Sequence, residues 1–165
     1  MKALIISMVC IFGTSAWSSV LSEKEAKADL TQLSKLGHTP LTSYEGSREI
    51  VMQQLDLKKD KKGYFIKDVY CRMTFRNDIS PETMPHHQII NIEHTWPQSR
   101  FNKRENRAHQ KSDLHHLYPT ESRSNSTRGN IYFGEFSDAR PINDSCLSAK
   151  KGHFETTMNK GFEPP

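Results

Sequence analysis

The chain has 165 residues, 35% of them hydrophobic and 25% charged, with a formal charge of +4 and a mean hydropathy of −0.73. This composition suits a soluble globular enzyme and excludes a low-complexity tail or linker. The positive excess is modest, so it favours a polyanionic partner without demonstrating one.

Met1-Lys2, the apolar run from Ala3 to Phe12 and small residues at Ala16 and Ser18 read as a secretory signal peptide over residues 1–18. The run is shorter than the roughly 20 apolar residues of a membrane span, so a removable signal is preferred to an anchor and no stable membrane association is expected. Cys10 leaves with the signal. The mature domain, residues 19–165, keeps Cys71 and Cys146 and, without Lys2, a charge of +3. Two cysteines in an oxidising compartment, periplasmic or extracellular, predict one disulfide, with two unrelated buried thiols as the alternative.

Ser22 with Glu25, and Thr42 with Glu45, have capping-box spacing. Leu30 and Leu33 follow the first, and Ile50, Val51 and Leu55 the second, at helical intervals, so two N-terminal helices are predicted, separated by Gly37 and Pro40. Lys58 to Gly63 reads as a charged turn, Tyr64 to Cys71 as a strand, and residues 77–87 as loop. His87 to His94 is a clearer strand, with Ile90 and Ile92 on one face and Ile89 and Asn91 on the other. Successive strand side chains point to opposite faces, so Glu93 and His94 serve one spot only where the pleat ends. Pro97 helps to end it.

Arg100, Lys103, Arg104, Arg107 and Lys111 come next, against Glu105 alone. Such a run is ordinarily a solvated loop. Beside the neighbouring motifs it reads as a surface that tracks phosphates. Asp113 to Tyr118 is a second strand candidate, with Leu114, His116 and Tyr118 on one face and Pro119 as its stop. Thr120 then caps a short helix ending at Gly129, which sets Asn125 and Arg128 one turn apart on one face. The segments Asn91 to Ser99, Ser112 to Pro119 and Asn125 to Asn130 together offer a base, metal ligands and a phosphate anchor, the minimum for metal-assisted phosphodiester cleavage.

These motifs, Glu93-His94 and Asp113-Leu114-His115-His116-Leu117 above all, with Asp68-Val69-Tyr70-Cys71 upstream, resemble the bacterial endonuclease I family over about Tyr44 to Gly134. The resemblance implies an α+β fold in which a small ββα-metal motif sits on a largely helical support. It implies a secreted or periplasmic endonuclease that cleaves DNA, and often RNA, with little sequence preference and leaves 5′-phosphate ends. His94 would be the general base, and Glu93 and Asn125 would hold one Mg2+, with Mn2+ or Ca2+ as substitutes. Members usually continue with another helical segment beyond the equivalent of Phe162 to Pro165, so this sequence reads as a fragment or a truncated form.

The residue types support these roles on their own. Neutral imidazole, with an unperturbed pKa of about 6.5, accepts a proton from water near neutrality. One anionic and one neutral oxygen suit magnesium, which retains waters and takes phosphate oxygens in its remaining positions. A two-metal site would gather more carboxylates. Arg128 or Arg107 would add charge at the phosphate through bidentate guanidinium geometry. Asp113, His115 and His116 are supporting candidates: one histidine orients a neighbour or packs with Leu114, and Asp113 positions a histidine or caps a turn. The chain is read as a monomer. The competing class is a secreted nucleic-acid-binding or zinc-binding protein without catalysis, drawing on the 8 histidines. The absence of a Cys-x-x-Cys pair and of a His-Glu-x-x-His sequence speaks against a zinc site.

Overall fold

A computed structural model describes residues 22–36 and 41–165; the expected signal peptide and the Gly37 and Pro40 separators lie outside the described residues. The chain divides into two units, Met1–Thr39 and Pro40–Pro165. In the first, α1 (Glu23–Lys35) begins on the expected capping box. Ser22 Oγ accepts from the Glu25 amide at 3.3 Å, and Glu25 Oε2 accepts from the Ser22 amide at 2.9 Å.

In the second unit, α2 (Tyr44–Ile50) is capped by Ser43 rather than Thr42. The Ser43 hydroxyl accepts from the Gly46 amide at 3.1 Å, the reach an extended N-cap residue has to its third successor. A π-helical turn, Val51–Leu55, continues the helix and buries Val51 and Met52. The charged segment after it, expected as a turn, supplies β1 (Lys58–Asp60), which pairs antiparallel with β2 (Gly63–Lys67) in the first part of the expected strand. β2 pairs in turn with β3 (Thr74–Phe75). The strand expected to reach Cys71 stops at Lys67, and the chain turns after Asp68, whose N–H donates to the Met73 carbonyl at 2.9 Å. The buried Asp68 carboxylate accepts from the Thr120 hydroxyl at 2.7 Å, the Glu121 amide at 2.7 Å and the Cys71 amide.

β4 (Ile90–His94) runs antiparallel to β5 (Leu117–Glu121), and α4 (Ser122–Arg128) follows at once. Two sequence expectations fail in β5. Asp113 to His116 is not strand: the Asp113 carboxylate accepts from the His115 amide and starts a 3-10 turn, Leu114–His116. Nor does Pro119 stop the strand. The bonds from Thr95 N–H to His116 O and from Ser122 N–H to Ile89 O set the ladder's parity, leaving Pro119 opposite Ile92 in a non-hydrogen-bonded pair. A missing N–H costs nothing there. The helix is capped by Glu121, whose carboxylate accepts from the Ser124 amide at 2.7 Å, rather than by Thr120, whose hydroxyl is committed to Asp68. The basic run is not all loop either, since it contains α3 (Arg107–Ser112), capped by Asn106.

β6 (Tyr132–Phe133), β7 (Arg140–Asn143), β8 (Cys146–His153) and β9 (Lys160–Glu163) form a sheet in the order β6-β9-β8-β7. The α+β class therefore holds, but the support is built largely of sheet where helix was expected. Strands β8 and β9 carry glycines at a close approach. Gly152 and Gly161 face each other across β8 and β9, and the Phe136 ring lies on both. A Cβ at Gly161 would meet Phe136 Cζ at 1.9 Å. Gly161→Ala is accordingly expected to lower stability by about 1–3 kcal/mol through overpacking; an unchanged urea midpoint would contradict this.

One core joins Val51, Met52, Ile66 and Ile79 to Ile90, Ile92 and Leu117 of the β4–β5 pair. A second gathers Tyr70, Cys146, Ala149 and Phe162. The expected disulfide is present: Cys71 and Cys146, Cα atoms 4.7 Å apart, tie the turn after β2 to the start of β8.

Candidate active site

α4 packs on the β4–β5 pair, so Asn125 and Arg128, one turn apart, both address β4. Asn125 donates its amide hydrogens to Asn91 Oδ1 at 2.7 Å and to the Ile92 carbonyl at 3.0 Å. Both donors are thereby used, and its Oδ1 has no donor among the described residues. Glu93 is 1% exposed. Its Oε1 accepts from the Tyr70 hydroxyl at 2.7 Å and lies 3.2 Å from Arg128 Nη1, while no described residue donates to Oε2. Burial pushes the Glu93 carboxyl up to about 7, against the opposing pull of the Tyr70 hydroxyl and the Arg128 charge.

His94 is buried between Tyr44, Phe101 and His116, whose rings lie 5.4, 6.1 and 5.5 Å from its own. Its Nε2 is 3.0 Å from the Lys111 carbonyl. A carbonyl only accepts, so Nε2 carries the hydrogen and Nδ1 keeps its lone pair. Burial holds the imidazole down at about 4, opposed by the Lys111 carbonyl and assisted by the charges of His116, Lys111 and Arg128. The ring is neutral at neutral pH. The partner carbonyl belongs to the end of α3, where backbone acceptors lack helical partners. His116 Nε2 takes the Gln110 carbonyl at 2.7 Å, His94 takes Lys111, and Ser47 Oγ takes Ser112 at 2.8 Å. The helix end and the imidazole orientation are thus settled by the same bonds.

Glu93 and His94 are neighbours on opposite faces of β4, yet both line one cavity of about 450 Å³, because the strand ends there. Tyr44, Gln98, Asn125, Arg128 and Asn130 share its wall. Arg128 is only 2% exposed. Its Nη2 donates to the Thr95 carbonyl at 2.8 Å, and its Nη1 lies between Glu93 and the carbonyls of His94 and Gly129. Arg107 is exposed and donates to Gln98 Oε1 at 3.3 Å, which puts it one residue from the cavity wall. Of the rest of the basic run, Arg100 bonds the Asn130 carbonyl and stacks on Tyr132 at 3.6 Å, and Lys111 lies 4.4 Å over Tyr44.

The supporting candidates separate. Asp113 and His115 pair with each other, Oδ1 to Nδ1 at 2.7 Å, and the His115 side chain is 82% exposed, away from Glu93. His116 instead packs edge-on to His94. Sequence reasoning did not assign a role to Tyr70, Ser47 or the Lys111 carbonyl. Only Tyr70 carried a signal, through its place in the Asp68 to Cys71 segment.

A buried carboxylate oxygen and an amide oxygen, each without a protein donor, are a hard donor set of the kind magnesium accepts. Among the described residues no three His, Cys, Asp or Glu side chains gather in position to hold a metal, and the two mature cysteines are bonded to each other. The zinc-cage alternative finds no support there.

The family model described as Endonuclease I matches residues 22–164. The chain belongs to the Endonuclease I family. Membership implies nuclease activity on a nucleic-acid substrate, of a kind that typically depends on a metal. No curated protein and no solved structure matches the chain. The cavity at the end of β4 is lined by His94, a neutral imidazole whose Nδ1 has no partner among the described residues, and by Glu93 and Asn125, each with one oxygen to which no described residue donates. No described helix is long and apolar enough to cross a membrane.

Proposed function

We propose that the chain is a sequence-nonspecific endonuclease that hydrolyses DNA, and also RNA, to 5′-phosphate products, using His94 as general base and one Mg2+ held by Glu93 and Asn125. The observation that supports the reading is that Glu93, His94 and Asn125 line one cavity, with the His94 tautomer set by Lys111 and one oxygen each of Glu93 and Asn125 left without a donor among the described residues. β4, β5 and α4 then serve as a ββα-metal motif.

His94 Nδ1 takes a proton from a water positioned in line with the scissile bond. The water oxygen forms a bond to phosphorus, and the bond from phosphorus to the 3′ oxygen breaks, so the phosphate stays on the 5′ side. A bound Mg2+ supplies Lewis-acid stabilisation of the charge that develops on the phosphate and the departing oxygen. Asn91 and the Ile92 carbonyl take both Asn125 amide hydrogens, which leaves its oxygen for the cation, and Arg128 pairs with Glu93. Of the two candidate arginines, exposed Arg107 is the one available to a phosphate, whereas Arg128 is committed to buried acceptors. Lys103 and Arg104, also exposed, extend a basic surface past the cavity for the flanking backbone. The mature domain, residues 19–165, acts as a monomer after loss of a signal over residues 1–18, in the periplasm or outside the cell.

Supercoiled plasmid and an RNA of similar length, incubated with the disulfide-intact mature chain, should be degraded in Mg2+ and spared in excess EDTA. Activity should fall as salt rises, because counterions compete for the phosphates. Undiminished cutting in EDTA would remove the metal from the reading.

A further inference from the structure

Glu93 is a carboxylate whose two oxygens have been given different work. Oε1 receives the Tyr70 hydroxyl at 2.7 Å and is ion-paired with Arg128 Nη1 at 3.2 Å; Oε2 receives nothing from the described residues. Tyr70 is 1% exposed, so its hydroxyl has no solvent alternative to this bond. Its position is set from several directions. The ring packs at 4.7 Å from Phe162 and 6.5 Å from Phe133, the backbone carbonyl accepts from Ser148 Oγ at 2.7 Å, and the next residue is disulfide-bonded to Cys146. On the other side, Val69 N–H donates to the Pro119 carbonyl at 3.0 Å. A phenol fixed to two sheets and a disulfide fixes whatever it bonds.

We propose that Tyr70 is a positioning residue for Glu93: together with Arg128 it captures Oε1, so that the carboxylate turns Oε2 alone toward a divalent cation. This rests on the reading of Glu93 as a metal ligand. Without the phenol the carboxylate is free to rotate about its terminal bond and to pair more fully with Arg128, which withdraws Oε2 from the cavity. Loss of an outer partner of this kind lowers metal affinity by about 10–100-fold. The proposal also gives the second core a functional connection, since packing around Phe162 and the disulfide sets the orientation of the ligand.

The test uses the full mature chain, disulfide intact and without substrate, titrated with Mn2+ and read by its electron paramagnetic resonance signal. Wild type, Glu93→Gln and Tyr70→Phe are compared, with a thermal melt of each. The expected result is one Mn2+ bound by wild type, binding lost in Glu93→Gln, and affinity about 10–100-fold weaker in a folded Tyr70→Phe. Equal affinities of wild type and Tyr70→Phe overturn the positioning role and leave Glu93 as ligand. No binding by wild type, or unaltered binding by Glu93→Gln, overturns the metal reading itself. Should Tyr70→Phe not fold, 3-fluorotyrosine placed at position 70 alone keeps both ring and hydroxyl. Its fluorine resonance should then move with Mg2+ occupancy, and a resonance that stays fixed at saturating Mg2+ overturns the proposal.

Discussion

His94→Ala should lower the rate of plasmid cleavage by about 10²–10⁴-fold, the usual contribution of a positioned general base, while DNA affinity measured in excess EDTA stays within a few-fold of wild type. The two readouts separate because they depend on different parts of the molecule. Proton abstraction needs the Nδ1 lone pair, which the Lys111 carbonyl leaves available by holding the hydrogen on Nε2. Affinity for the polyanion comes from exposed Lys103, Arg104 and Arg107, none of which bonds to the imidazole. The variant also removes a ring packed against Tyr44, Phe101 and His116 and uncaps one carbonyl of α3, so a melt must show that it is folded. Retained cleavage by a folded variant would dismiss His94 as the base. A wild type that binds DNA without cutting it in Mg2+ would favour the binding-protein alternative.

The second large effect belongs to the disulfide. Cys71 and Cys146 are 75 residues apart, and the loop they close contains β4, α3, β5 and α4, hence Glu93, His94, Asn125 and Arg128. In the chain-entropy account, closing a loop of that length removes denatured-state freedom worth about 4 kcal/mol. Whole domains are stable by only about 5–15 kcal/mol, so Cys71→Ala with Cys146→Ala should lower Tm by on the order of 10 °C. Calorimetry of the double variant, and of wild type with and without reductant, measures this. A double variant melting within about 2 °C of wild type would mean that the two cores carry the fold without the bridge. Cys71 also adjoins Tyr70 and contacts Ser124 of α4, at 2.9 Å from Sγ to Oγ, so metal affinity should weaken together with stability.

Much of this protein was determined by interactions that run along the chain and leave a local signature. The Ser22 to Glu25 capping box, the shared face of Ile90 and Ile92, the single turn between Asn125 and Arg128 and the pairing of the two mature cysteines all follow from spacing or from counting. So did the residues that line the cavity, because Glu93, His94 and Asn125 lie in short motifs whose chemistry is legible in their residue types. Tertiary structure decided the rest. Pro119 stays within a strand because ladder parity turns its missing N–H away from β4, and no local rule states that parity. The segment after Asn130 becomes sheet, in which Phe136 lies against the glycine backbone of β8 and β9. The Lys111 carbonyl that orients His94 is 17 residues away in sequence, and the Tyr70 hydroxyl that holds Glu93 is 23 residues away. Arg128 and Arg107 were equal candidates for the phosphate by type, and folding leaves Arg107 exposed while it buries Arg128 beside carbonyls and Glu93. Residue type and period determine which groups can do chemistry; which oxygen or nitrogen of each is left open depends on partners that only folding brings into reach.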